Sequence, residues 1–190
     1  MKFTTIENDR VLKIKSLLIG NVDQEVNELK QMIFRSDYSE NEITKIFNTL
    51  NFALAQTYGK KLINKYYVNH LIRVAKLSLM WLNLIKENNS DLIIAALIHN
   101  ALEKNIISLE MLRSRYSQWV YSSITTLTLD RSKEHDSDYI RNYYNELQDT
   151  DKYLQMLNHI LVLVENSYIK PHQRYTSTKL VDNLKELKKF

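Results

Sequence analysis

Two glycines and one proline in 190 residues leave almost none of the turn chemistry that a sheet protein needs. Soluble proteins carry about 7% glycine and about 5% proline. Hairpins and tight strand connections use glycine for positive φ and proline for a preset φ. A chain this poor in both is left with helices, whose interiors disfavour these two residues. The same shortage excludes a Walker loop and a dinucleotide fingerprint, since each needs several glycines for the backbone to approach phosphate. Hydrophobic residues at 44% and charged residues at 25% make the composition globular. The length suits one domain, or one domain with a helical appendage. The expectation is an all-α bundle.

The helical period is readable almost throughout. Val11, Ile14, Leu17 and Leu18 mark a first helix that ends at Gly20-Asn21, and Val22 to Phe34 reads as a second. Residues 1–36 are therefore expected to form an N-terminal helical hairpin beside a main domain of residues 37–190. Ser39 with Glu42 three residues later is a capping box, opening a helix to about Tyr58, with Gly59 placed as a C-cap. A helix from about Val68 to Ile85 follows. Asp91 is expected to cap an apolar helix from Leu92 to about Lys104. Ser108 opens another, expected to run to about Leu129; Asp130 to Ser137 is a loop. Two further helices, Asp138–Leu147 and Thr150–Asn166, precede the break at Pro171, and Gln173 to Lys189 reads as a terminal amphipathic helix.

The absence of cysteine removes disulfides, thiolate metal sites and cysteine nucleophiles together, and suits a reducing compartment. Met1 to Arg10 has no apolar run of the kind a secretory signal carries. Leu92–Ile98 and Ile160–Val164 are too short for the roughly 20 residues of a membrane span. A cytoplasmic protein without membrane contact is expected. The net charge of +4 permits an anionic ligand, but it is low for a nucleic-acid binder, so nucleic acid is not expected as a partner.

Chemistry concentrates in the run Asp91 to Asn105, DLIIAALIHNALEKN. On a continuous helix His99 and Glu103, at i and i+4, share a face beside Asn100 and Lys104. Such a group suits a metal or phosphate site, but on spacing alone a histidine hydrogen-bonded into the core is the more common outcome. His70 opens a second apolar helix and could converge with His99, although two imidazoles need a carboxylate to retain a divalent ion. His135, His159 and His172 read as incidental. Tyr66-Tyr67 and Tyr143-Tyr144 could stack on a base, but aromatics at this density are more often packing.

Phe52 to Leu129 resembles the HD-domain phosphohydrolases, most closely the hydrolase domain of the alarmone synthetase/hydrolase family that cleaves guanosine tetra- and pentaphosphate. That family has a helix ending Ala-x-x-Ala-His-x-Gly-Gln, a basic turn, and Tyr-Ile-x-His-Pro-x-x-Val-Ala. Here the run is ALAQTYGKKLINKYYVNHLIRVA, with Gly59, Lys60-Lys61, Tyr67, His70 and Val74-Ala75 in matching order. The family's Ala-Ala-Leu-Leu-His-Asp-x-x-Glu-Asp-Thr is met by AALIHNALEKN, Ala95 to Asn105, and its following helix by ISLEMLRSRYSQWVYSSITTLTLD. The resemblance implies an HD-like helical bundle with an N-terminal extension.

Carried over residue by residue, the resemblance makes His70 and His99 metal ligands and Glu103 the residue that positions water. Lys60, Lys61, Lys104 and Asn166 become phosphate- or nucleotide-binding candidates. The chain also departs from the pattern. Asn100 stands where the family has a ligand Asp, and Lys104 where Glu103 should have an acidic partner. The last Asp of the family has two placements: HILVLVEN keeps Asn166 but puts Val162 at the ligand position, while KLVDNLKEL supplies Asp182 late in the chain. The short connection from DYIRNYYNEL favours the first. A neutral amide replaces a carboxylate that Mn²⁺ prefers, and a lysine about one turn away repels the cation by on the order of several kcal/mol. The expectation is a degenerate HD protein without metal-dependent hydrolysis and with no cofactor, binding a guanosine nucleotide or a protein partner. The alternative is an active Mn²⁺-dependent hydrolase of guanosine tetra- or pentaphosphate.

Overall fold

A computed structural model describes residues 22–58 and 65–169 of the chain. They form α1 (Val22–Phe34), α2 (Glu40–Tyr58), α3 (Lys65–Ile85), α4 (Ser90–Ile98), α5 (Leu109–Arg115), α6 (Gln118–Leu127), α7 (Ser137–Gln148) and α8 (Lys152–Ile169), with a 3₁₀ turn at Arg131–Lys133. Among the described residues there is no strand, and the all-α expectation holds. No described helix is long and apolar enough to cross a membrane. The first arm of the expected hairpin, Gly59, and the expected helix Gln173–Lys189 lie outside the described residues.

The bundle is organised around α4. Every residue from Leu92 to Ile98 is buried, as a helix that is apolar on all sides must be. α3, α2, α6 and α8 surround it. Each presents one stripe: Ile46 and Leu50 from α2, Ile72, Leu79 and Leu82 from α3, Val120 and Ile124 from α6, Leu157 and Ile160 from α8. α1 lies against α3 and adds Val26, Leu29 and Ile33 to the same core. Its polar edge is tied there by Lys76, whose Nζ reaches Glu25 at 2.9 Å and Glu28 at 2.6 Å.

The local signals at helix starts work as capping chemistry predicts, with one displacement. Ser39 and Glu42 form the reciprocal box, the Ser39 N–H donating to the Glu42 carboxylate at 2.9 Å. Ser108 caps α5 through the Met111 N–H. At α4 the cap is Asn89 and not Asp91: the Asn89 side chain accepts from the Leu92 N–H at 3.0 Å. Asn88, next to it, donates to the Asp37 carbonyl at 3.0 Å and fixes the loop two residues earlier than the apolar run alone would place it.

Two expected helices end differently. The run expected from Ser108 to Leu129 is broken at Tyr116, which is extended, and restarts at Ser117, whose hydroxyl caps the Val120 N–H. The run expected from Leu92 to Lys104 stops as regular helix at Ile98. His99 there donates Nδ1–H to the Ala96 carbonyl at 2.8 Å, the acceptor that the Asn100 N–H would use in a continued helix. The turns that follow close at Asn105, with φ 55. Its N–H donates to Leu102 and the Ile106 N–H to Ala101, a Schellman ending.

Candidate functional site

α3 and α4 bring His70 and His99 together, as the sequence led us to expect. Their Nε2 atoms are 3.0 Å apart, and the rings meet edge to face with centroids 5.0 Å apart. Only 5% of His70 and 3% of His99 is exposed. The partner groups determine the protons. A carbonyl can only accept, so His99 carries its proton on Nδ1, towards Ala96. Neutral His99 therefore offers Nε2 as a lone pair, and His70 donates through its own Nε2–H. A proton added to His99 Nε2 would set two donors against each other.

Burial keeps that proton out. Desolvation is the main cause lowering the pKa of His70, followed by the positive charges of Lys104 and Arg73. His99 is lowered most by desolvation and then by His70, with Lys104 adding to the effect and the Ala96 hydrogen bond opposing it. At neutral pH both rings are uncharged. Lys104 thus acts on the site with the sign anticipated, against a cation. Its ammonium lies 5.2 Å from the centroid of the Tyr67 ring. Glu103 acts on the same ring: after burial, its charge is what raises the Tyr67 phenol.

The remaining candidates divide. Glu103 and Asn100 are half-buried, in the turns after α4, where the regular helix expected to carry them has ended. Lys60, Lys61 and Asp182 lie outside the described residues, as does the side chain of Asn166 on α8. Val162 is 44% exposed and stands apart from the packed core. The core stripe of α8 is Leu157, Ile160 and Val164, and at 100° per residue position 162 faces away from it. The placement that put Val162 at a ligand position therefore does not bring that position to the sealed pair. His135 and His159 are exposed, and Tyr144 is half-exposed beside Tyr143, whose hydroxyl donates to the Leu127 carbonyl.

The donor set can be tested against the metal that the resemblance implies. Two imidazole nitrogens about 2.1 Å from one ion and at right angles to each other stand about 3.0 Å apart, and the pair has that spacing. The charge does not fit. Among the described residues no group of three His, Cys, Asp or Glu side chains could hold a metal ion, and two neutral rings under Lys104 and Arg73 supply none of the negative charge Mn²⁺ favours.

Sequence reasoning missed Arg73 and the Ala96 carbonyl. Arg73 was within reach of it, since i+3 from His70 on one helix places both on neighbouring positions of a face. The carbonyl was not, because it becomes available only where the helix ends. Comparison of the chain with family models, with curated proteins and with solved structures gives no match.

Proposed function

We propose that this chain is a degenerate HD-type helical protein that no longer carries out metal-dependent hydrolysis and has a binding role towards a guanosine nucleotide or a protein partner. The observation that supports this reading is the His70–His99 pair itself, joined by a direct hydrogen bond, sealed in the core and lacking a third ligating side chain among the described residues. A metal would have to break that bond and take both lone pairs without a carboxylate to offset its charge. Elemental analysis of the purified full chain, with an assay on guanosine tetraphosphate, tests it. The expected result is Mn²⁺ far below one equivalent and no turnover. Stoichiometric Mn²⁺, or turnover abolished by Glu103→Ala, would overturn it.

The 3.0 Å Nε2 separation favours one alternative, an active Mn²⁺-dependent hydrolase in which Asp182 adds the missing charge. In that case Asp182→Ala empties the metal site, while the degenerate reading expects the substitution to change nothing in metal content.

A further inference from the structure

At the opposite end of α4, about 12 Å along the helix from His99, a second polar site opens to solvent. It is a cleft of about 350 Å³ between α2, the first turn of α4 and the junction of α5 with α6, within the size range of small-ligand sites. Lys45 and Asn48 lie on the α2 wall, with Thr49 beside them; Asp91 and Ile94 form the floor; Arg115, Tyr116 and Ser117 close the far side. The break between α5 and α6 creates this wall. The helix ends at extended Tyr116, and residues 115, 116 and 117 all line the cleft.

Two cations, Lys45 and Arg115, line the cleft from opposite walls. The Arg115 guanidinium lies over the Phe52 ring, 5.1 Å from its centroid; this leaves the edge of the planar fork for a two-point contact. Among the described residues, neither Arg115 nor Lys45 takes part in an ion pair. Asp91 is already oriented, accepting from the Ser117 hydroxyl at 2.6 Å, and keeps lone pairs for a further donor. The N-termini of α4 and α6 both open on the cleft, which adds positive potential. Two cations outside any ion pair among the described residues, beside an oriented carboxylate and an amide, suit a ligand with a dianionic end and a hydroxylated end.

We propose that this cleft binds a small phosphate monoester of a polyol, its phosphate held between Lys45 and Arg115 and its hydroxyls by Asp91 and Asn48. The site is separate from the histidine pair and does not depend on what that pair does. Calorimetric titration of the full chain with ribose 5-phosphate, inorganic phosphate and ribose tests it. Ribose 5-phosphate is expected to bind saturably, phosphate more weakly, and ribose without measurable heat. Lys45→Gln and Arg115→Gln should each weaken the ester by roughly tenfold or more, and Arg115→Lys should restore only part, because a point charge replaces a fork. Lys45 is exposed on α2, so its variant keeps the test valid should the Arg115 variant unfold. The assignment is overturned if ribose 5-phosphate gives no saturable heat at roughly 10 mM, if both glutamine variants bind it as the unaltered chain does, or if inorganic phosphate binds as tightly as the ester.

Discussion

At its first turn α4 presents Asp91 to an open cleft, with Ser117, Lys45 and Arg115 around it. At its last turn the same helix holds His99 at 3% exposure, against a histidine at 5%. Both ends terminate one apolar rod, and both carry polar groups on it. Water makes the difference. At the open end Lys45 and Arg115 are exposed and Asp91 is half-buried, so solvent reaches all three. At the sealed end charge would be stranded in a low dielectric, so both rings are neutral, their Nε2 atoms share one hydrogen bond, and His99 Nδ1 donates to Ala96. Disturbing the sealed end should therefore change stability, and disturbing the open end should change binding.

The largest effect is expected from splitting the pair. His99→Leu leaves the His70 Nε2–H buried without its acceptor and should cost about 2–3 kcal/mol in urea unfolding. Replacing both rings, His70→Leu with His99→Leu, removes donor and acceptor together and should recover part of that loss. If the two single losses simply add in the double variant, the hydrogen bond does not couple the rings.

Acid should reveal the same burial. The pKa of His70 is lowered from 6.5 to about 4 in the fold, so below pH 6.5 the unfolded chain binds a proton that the folded chain refuses. Stability from this residue is complete above pH 6.5 and is lost as pH falls towards 4. Between pH 7 and pH 5 His70 alone should account for about 2 kcal/mol, and His99, shifted in the same direction, adds to it. Urea midpoints measured at the two pH values, in the unaltered chain and in the double leucine variant, isolate this contribution. Equal slopes in the two proteins would mean that the rings are not held neutral by burial.

The rod and its neighbours were legible because their signals are local. α1 runs from Val22 to Phe34 as its period indicated, and the Ser39–Glu42 box opens α2. The breaks were not legible. The apolar positions Leu112, Tyr116, Val120 and Ile124 continue a helical stripe straight through Ser117, and the interruption coincides with a tertiary contact, the Ser117 hydroxyl on Asp91, 26 residues away in sequence. At the other end a side chain ends the regular helix, the His99 imidazole taking the Ala96 carbonyl. The approach of His70 to His99 could be read from the resemblance, whereas the proton arrangement between them required the Ala96 carbonyl. The α8 register was misjudged because Val162 sits in an apolar run, HILVLVEN, whose sequence does not say which side faces in. Val162→Asp should accordingly change stability by less than about 0.5 kcal/mol.

At the open end the expected stability effects are smaller. Ser117→Ala removes the cap of α6 and the donor to Asp91, and should cost about 1 kcal/mol. Comparable thermal unfolding of Ser117→Ala and His99→Leu would break the contrast between the two ends, since it would mean that the exposed contact is held as strongly as the sealed one.

A gain, not a loss, of stability is expected at the residues that flank α4 on either side, where the scarcity of glycine leaves its mark. Lys86, before the helix, has φ 56, and Asn105, after its last turns, has φ 55. Both close Schellman endings: the Glu87 N–H donates to Leu82 and the Lys86 N–H to Asn83, as the corresponding groups do around Asn105. Glycine enters this region without a Cβ clash, asparagine with a modest penalty, and lysine with a larger one. Lys86→Gly should therefore gain up to about 1 kcal/mol, less the entropy that glycine adds to the unfolded chain, and Asn105→Gly no more than a few tenths. In a chain of this length that separates the two variants by no more than about 2 °C in Tm. A larger gain at Asn105 than at Lys86 would show that the sealed end of α4, and not the open one, holds the more strained backbone.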